Sequence, residues 1–101
     1  MEATYKFKAK LWMYSGEGAW YFVTLPKEYT DELKMIISSG AKRGFGSQKV
    51  EATVGAFSWK SSIFPSNKDG AYLLPVKKEI RSKLDAHDGD ILEVLVKLCD
   101  V

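Results

Sequence analysis

The side chains that could perform nucleophilic or acid–base catalysis are scattered along this 101-residue sequence, and its carboxylates do not pair convincingly. His87, the only histidine, lies in the polar turn "DAHDGD", and Cys99, the only cysteine, has no histidine near it in sequence. Ser61 and Ser62 would need an activating base that no spacing supplies. No group of cysteine, histidine and carboxylate residues has the spacing of a metal site. The sequence therefore predicts no metal and no cofactor, and it places an enzyme behind a binding protein because only the mix of serines and lysine argues for one.

The segment "SWKSSIFP", residues 58–65, mixes residue types that can hold a small ligand. Trp59 offers a stacking surface, Lys60 a cation and Ser61 a hydroxyl group, and Phe64 adds a second ring. A tryptophan on an alternating strand is more often part of the core. We favour the core for Trp59 and keep the pocket as the alternative.

Residues 42–50, "KRGFGSQKV", begin like the RNP1 signature of RNA-binding sheets, K/R-G-F/Y-G/A-F-V-x-F/Y. The later stacking positions hold Ser47 and Val50, which offer no ring to a base, and paired glycines weaken a strand interior. We interpret the segment as a loop between a helix and a strand. Its polar residues Lys42, Arg43, Ser47 and Lys49 could still bind an anion together with backbone N–H groups.

A third basic group, Lys77, Lys78 and Arg81, falls in the second predicted helix. Cations in a first turn oppose the helix dipole, so these residues either attract an anion or are simply solvated, and we favour solvation for the lysines. The ligand-binding residues that the sequence predicts are Lys42, Arg43, Ser47, Lys49, Trp59, Lys60, Ser61, Phe64 and Arg81.

The composition is that of an ordinary globular domain, with 46% apolar and 28% charged residues. The net charge of +2 gives little support for a nucleic-acid partner. The start "MEATYKFKAKLW" has no apolar signal segment, and no stretch approaches the ~18 apolar residues of a membrane span. A single cysteine excludes an internal disulfide. We expect one cytoplasmic domain over residues 1–101, with no membrane partner.

Alternation of apolar and polar residues predicts a mostly β fold. Tyr5, Phe7, Ala9 and Leu11 alternate with lysines in a strand over residues 4–13. Further strands are predicted over residues 20–25, 50–54, 57–64, 71–74 and 91–99, and helices begin at Pro26 and Pro75. The last strand should bury Leu92, Val94, Val96 and Leu98.

The two halves of the chain, approximately residues 5–54 and 57–99, share one order of features. "GEGAWYFVTLPKEYTDEL" and "NKDGAYLLPVKKEIRSKL" each run from an acid, a glycine and an aromatic residue through a strand and Leu-Pro to an amphipathic helix. Neither half could bury its apolar face alone, so we predict that they pair around one core. The expected fold is a pseudo-twofold β-barrel with two short helices.

Two resemblances agree with this expectation. "YLLPVKKEIRSKLDAHDGDILEVLV" resembles the swapped-hairpin unit of the AbrB, MazE and MraZ proteins, which reads roughly I-P-K-E-I-R-x-x-L-x-I-x-x-G-D-x-L-E-V. The chain as a whole resembles a bacterial family of small uncharacterised domains with the motifs W-x-F-V-x-L-P, K-R-G-F-G-S, W-K-x-S-x-F-P and Y-x-L-P-V-K-K. These motifs fall on residues 20–26, 42–47, 59–65 and 72–78. The resemblance of the whole chain to this family implies a double-split β-barrel in a single chain, and no activity is known for the family.

The AbrB resemblance also implies DNA binding, which in those proteins depends largely on an arginine after the hairpin glycine. The corresponding positions hold Ala19 and Ala71 here. We therefore predict a non-enzymatic binding module for an unknown small or anionic ligand, and keep an AbrB-like DNA-binding regulator as the alternative that is not favoured. Internal duplication removes the need for a dimer, so we expect a monomer.

Overall fold

Seven strands and two helices make up most of the chain that the structure describes. The computed structural model describes residues 3–16, 20–39, 47–66 and 68–99, with the backbone alone at residues 38 and 39. The strands are β1 (Thr4–Lys10), β2 (Trp12–Met13), β3 (Tyr21–Thr24), β4 (Gln48–Val54), β5 (Phe57–Pro65), β6 (Tyr72–Pro75) and β7 (Ile91–Leu98). The helices are α1 (Thr30–Ser39), which follows a 3-10 turn over Lys27–Tyr29, and α2 (Lys78–Leu84). The prediction of a mostly β fold with two short helices is confirmed.

The strands form one antiparallel sheet that curls into a nearly closed barrel. The strand order is β1-β7-β4-β5-β6-β3-β2. Its first and last members are consecutive in the chain, because only Leu11 separates β1 from β2. A single run of chain therefore pairs with β7 on one side of the barrel and with β3 on the other.

Leu11 forms the corner at which this run changes partners. Its side chain is fully buried, and its backbone exchanges hydrogen bonds of 2.7 and 2.8 Å with Gly89 and Asp90. The predicted single strand over residues 4–13 is thus wrong at one residue. The pairing partner changes there from β7 to β3.

Alternate residues of the strands point into the barrel and fill its core. In β7, Val94, Val96 and Leu98 are buried as predicted, and Leu92 is half-buried and packs against the core. The lysines of β1 lie on the opposite, exposed face. The largest fully buried side chains are Leu11, Leu25, Leu33, Ile63, Leu74, Leu98, Val23, Val50, Val94 and Val96.

Both Leu-Pro pairs lie where a strand leads into a helix, yet neither proline begins an α-helix. Pro26 precedes the 3-10 turn, and α1 starts at Thr30. Pro75 is the last residue of β6, and α2 starts at Lys78, so the predicted helix start is three residues too early. The reason is that the N–H of Val76 still donates to the carbonyl of Tyr21 at 2.9 Å, which keeps the backbone extended beyond Pro75.

Candidate functional site

Five aromatic rings cluster on the outer face of the sheet. Phe22 is only 7% exposed, yet it lies outside the main cluster of buried core residues. The other rings surround it at centroid distances of 5.2 Å (Trp12), 5.9 Å (Phe64), 6.3 Å (Trp20) and 6.5 Å (Tyr14). We call these five residues the aromatic cluster. Its rings shield Phe22 from water and present their own outer surfaces to solvent.

Trp20 is the most exposed member of the aromatic cluster, because strand pairing holds it in place without covering it. Its indole ring is nearly parallel to Phe22, with 8° between the planes. Its carbonyl accepts a hydrogen bond from the N–H of Tyr14 at 2.8 Å. In the pairing of β3 with β6, Phe22 is opposite Pro75. If this register is extended by two residues, Trp20 is opposite Lys77. The side chain of Trp20 remains 56% exposed.

Neighbouring contacts fix the positions of the other rings. The indole N–H of Trp12 donates to the hydroxyl of Thr24 at 2.9 Å. The ring of Tyr14 lies against the backbone at Gly16, where any Cβ atom would overlap it. The exposed and half-exposed rings of the aromatic cluster are therefore held in fixed positions by specific contacts.

A surface hollow of about 270 Å³ opens beside Trp20. This volume is just below the roughly 300 Å³ of the smallest typical small-molecule pockets. We call it the Trp20 hollow. Its lining residues are Trp20, Tyr21, Pro75, Val76, Lys77 and Lys78.

Two lysines make one side of the Trp20 hollow positive. The side chains of Lys77 and Lys78 are exposed, and over residues 3–16, 20–39, 47–66 and 68–99 neither forms an ion pair with a carboxylate. Glu79 follows them in α2 and is also exposed. The hollow thus joins an aromatic face to two ammonium groups, a combination that attracts planar anions.

Arg81 lies beside the hollow, with its guanidinium group over the ring of Tyr21. The guanidinium carbon is 3.7 Å from the ring centroid, and Nη1 donates to the carbonyl of Val76 at 2.9 Å. Both contacts tie α2 to lining residues of the hollow. Arg81 therefore stabilises the wall of the hollow through Tyr21 and Val76.

Trp59 lies in the core. Its side chain is 9% exposed within the main cluster of buried residues, and its indole N–H has no hydrogen-bond partner among the described residues. Ser61 lies on the same side of β5 and is half-buried. Of the two interpretations that the sequence left open for Trp59, the core position is the observed one.

The other predicted site residues lie in different places. Phe64 belongs to the aromatic cluster. Lys49 and Lys60 are exposed on the outer face of β4 and β5, with Lys60 opposite Glu51, and Ser47 is half-buried before β4. Lys42 and Arg43 lie outside the described residues. The described members of the predicted set do not converge on one site, and only Phe64 and Arg81 lie at or next to the surface around Trp20.

The residues considered for catalysis are also separate. His87 contacts Asp85 at 3.0 Å in an exposed turn, with side chains 73% and 92% exposed. Cys99 is half-buried near the end of β7 and contacts the carbonyl of Lys97. Within the described parts of the chain, no three histidine, cysteine or carboxylate side chains come together to hold a metal ion.

The sequence did not predict a site at Trp20, and it favoured simple solvation for Lys77 and Lys78, which line the same hollow. The comparison of the two halves pairs Trp20 with Tyr72, but Tyr72 is 3% exposed and belongs to the core. The sequence signal was the run of aromatic residues at alternate positions on two paired segments, Trp12 and Tyr14 with Trp20 and Phe22. Such a run gives two outward rows of rings once the strands pair.

The protein is a small, nearly closed antiparallel β-barrel with aromatic and basic residues on its outer face. A sequence profile described as "Domain of unknown function (DUF1905)" matches residues 7–96. The chain belongs to this family, which confirms the expected membership of a small domain family without an assigned function. No curated protein matches the chain significantly. Among the described residues, no helix has the length and apolarity needed to cross a membrane.

Proposed function

We propose that this protein is a non-enzymatic binding module whose site is the Trp20 hollow and whose ligand is a planar, aromatic anion. The observation that carries the proposal is the position of Trp20. Its ring is held parallel to the buried Phe22, is 56% exposed, and faces a hollow that two lysines line. An exposed tryptophan held in place loses little conformational freedom when a ring stacks on it.

The chemistry of the hollow supports binding over catalysis. Among the described residues, its lining consists of aromatic and apolar groups with Lys77 and Lys78, and none of these lining residues is a histidine, cysteine, serine or carboxylate. Stacking on Trp20 and charge attraction by the two lysines would act together on a ligand that carries both a ring and an anionic group. Removing either feature of the ligand should therefore weaken binding.

Adenosine monophosphate is a suitable probe because it carries both features, whereas adenosine lacks the charge and ribose 5-phosphate lacks the aromatic base. Isothermal titration calorimetry with the three compounds should give the tightest binding for adenosine monophosphate. The variants Trp20→Ala and Lys77→Gln/Lys78→Gln should each lose most of it. Phe57→Ala, which removes a 38% exposed ring outside the aromatic cluster, is the matched control. If wild type binds none of the three compounds, or if Trp20→Ala binds as wild type does, the proposed site is wrong.

We also propose that the fold is a double-split barrel with a pseudo-twofold axis, related to the AbrB barrel. The first half of the chain contributes β1, β3, α1 and β4, and the second half contributes β5, β6, α2 and β7 in the same order. When each element is exchanged for its counterpart, the pairing β1–β7 becomes β4–β5 and the reverse. The pairings β4–β7 and β3–β6 map onto themselves under this exchange. This order supports descent from a duplicated half, and it supports a monomer because one chain supplies both halves.

An AbrB-like DNA-binding regulator is the second candidate function. The outer face of β1, β7, β4 and β5 favours it because this face carries more lysines than acids. It has six lysines and two glutamates, which are Lys6, Lys8, Lys10, Lys49, Lys60 and Lys97, and Glu51 and Glu93. Ala71, at the position of a DNA-contacting arginine, is 2% exposed and does not add to this surface. A salt-dependent mobility shift with duplex DNA tests it, and no shift at low salt excludes it. With either ligand, we expect the module to act in the cytoplasm.

A further inference from the structure

We propose that the ligand of the Trp20 hollow is single-stranded nucleic acid, whose phosphates follow the lysines of β1 and whose bases stack on the aromatic cluster. This inference rests on the proposed function and extends it from a planar anion to a polymer of such groups. Single-strand binding surfaces combine a line of cations with exposed rings, because every base offers a stacking face.

The run through β1 and β2 places such a line on the barrel surface. Alternate side chains Lys6, Lys8 and Lys10 point outward from β1, and beyond Leu11 the rings of Trp12 and Tyr14 both contact Phe22 in the aromatic cluster. We call Lys6, Lys8, Lys10, Trp12 and Tyr14 together the β1 strip. At about 3.3 Å per residue the strip is about 26 Å long. It therefore leads from three cations directly to two rings of the aromatic cluster.

The β1 strip is continuous with the Trp20 hollow. Tyr14 at its end is hydrogen-bonded through its backbone to Trp20, and Trp20 lies opposite Lys77 across the β3–β6 pairing. Tyr14 and Trp20 are 50% and 56% exposed, so both rings are accessible to bases. A strand that follows this path would meet lysines, then rings, then Lys77 and Lys78.

Among the described residues, Glu93 and Asp88 lie near the β1 strip and limit its positive charge. Glu93 forms an ion pair of 3.9 Å with Lys6 and is also opposite Lys8 in the register. Because both partners are more than half exposed, this pair is weak and can be exchanged for a phosphate. Asp88 accepts a hydrogen bond from the N–H of Met13 at the corner after Leu11.

The exposed rings favour a single strand over a duplex. In a duplex the bases are stacked on each other and their faces are closed to Trp20 and Tyr14, whereas a single strand offers them. The chain has a net charge of only +2, so a broad attraction for duplex phosphates is small. The combination of a short cationic line and accessible rings fits a single strand.

Fluorescence anisotropy with labelled 12-mers of deoxythymidine and of uridine tests this inference, with salt varied from 50 to 200 mM. The charge variant is Lys6→Gln/Lys8→Gln/Lys10→Gln. Its matched control, Lys27→Gln/Lys68→Gln/Lys83→Gln, removes three exposed lysines outside the strip. The ring variant is Trp20→Ala with Phe57→Ala as its control, and an unlabelled 12-base-pair duplex is the competitor. Circular dichroism verifies that each variant is folded.

We expect the charge variant to reduce the slope of log affinity against log salt by about 2, because each phosphate contact of a single strand contributes about 0.7. Its control should keep most of the slope. Trp20→Ala should weaken binding about 5- to 150-fold, the range for the loss of one stacked base. Binding of the DNA 12-mer, the RNA 12-mer or both supports the inference, and their ratio identifies the natural polymer.

Three results would overturn it. One is that adenosine monophosphate binds but the 12-mers bind no more tightly, which leaves the proposed function intact and removes the polymer. A second is that the duplex competes as well as a single strand does. The third is an equal loss in both triple variants, which would mean that charge acts without regard to position. If neither the mononucleotide nor the 12-mers bind, both proposals fail together.

Discussion

The indole ring of Trp20 lies parallel to the ring of Phe22, with 8° between their planes and 6.3 Å between their centroids. Phe22 is 7% exposed and Trp20 is 56% exposed, so the buried Phe22 supports the accessible Trp20. This relationship makes Phe22 a positioning residue for the surface at Trp20.

Replacing Phe22 should therefore affect stability and the surface together. Phe22→Ala removes the centre of the aromatic cluster and should lower the free energy of unfolding by about 3–5 kcal/mol. Phe22→Leu retains most of the volume and should cost less. Urea unfolding measures both, and Phe57→Ala is the control for loss of a more exposed ring. A cost of Phe22→Ala no greater than that of Phe57→Ala would contradict a supporting role.

Arg81 should contribute to stability through its side-chain geometry as well as its charge. Arg81→Ala removes the contact with the Tyr21 ring and the hydrogen bond to Val76, at an expected cost of about 1–2 kcal/mol. Arg81→Lys keeps the charge but lacks the planar group, so it should recover only part of this. Thermal unfolding of the two variants decides the matter, and full recovery by lysine would show that charge alone acts.

The hydroxyl group of Tyr5 should make the protein less stable at alkaline pH. It donates to Glu32 Oε2 at 2.6 Å, and burial, together with this hydrogen bond, raises the pKa of Tyr5 well above its ordinary value. Above about pH 10 the unfolded chain loses the tyrosine proton and the folded chain keeps it, so stability falls as pH rises. Burial also raises the pKa of Tyr72, which adds to the same trend.

Tyr5→Phe separates the two contributions. At pH 7 the Tyr5→Phe substitution should lower the free energy of unfolding by about 1.5–3 kcal/mol, because a hydrogen bond to a charged partner is lost. Its stability should then fall less steeply than that of wild type between pH 10 and pH 12, so the two curves converge. Urea unfolding across this range, with the exposed Tyr14→Phe as control, measures the difference. Parallel curves for wild type and Tyr5→Phe would contradict the assigned hydrogen bond.

Trp59 should respond to substitution as a core residue with one poorly satisfied polar atom. Trp59→Ala should cost about 3–5 kcal/mol. Trp59→Phe keeps a ring and removes the unpartnered indole N–H, so its cost should be clearly smaller. Acrylamide quenching adds a second measurement, since loss of Trp59 should remove the least accessible fluorescence and loss of Trp20 the most accessible. Equal quenching of the two variants would argue against their assigned exposures.

Much of the barrel follows from local pattern. Alternation located the strands because each has one face toward the core, as in β7, where Val94, Val96 and Leu98 are buried. The corner at Leu11 was not predictable in this way, because it depends on hydrogen bonds to Gly89 and Asp90, which are distant in the chain. The start of α2 was displaced for the same reason, since a bond from Val76 to Tyr21 prolongs β6.

The site was harder to predict than the fold. Residue type indicated Phe64 and Arg81, but type alone does not tell whether a ring is in the core or on the surface. Trp59 and Trp20 both lie on or beside alternating strands, and only the packing of the complete barrel buries one and exposes the other. The register between β3 and β6, which puts Lys77 opposite Trp20, depends on the pairing of the two halves.

Nuclear magnetic resonance of the indole N–H groups shows whether a ligand binds at the Trp20 hollow. The protein has three tryptophans, and their resonances can be assigned with Trp12→Phe, Trp20→Phe and Trp59→Phe. On addition of adenosine monophosphate, the Trp20 resonance should move with the largest amplitude and saturate, and that of the buried Trp59 should stay in place. A saturating shift of Trp59 with no change at Trp20 would contradict a binding site at the Trp20 hollow.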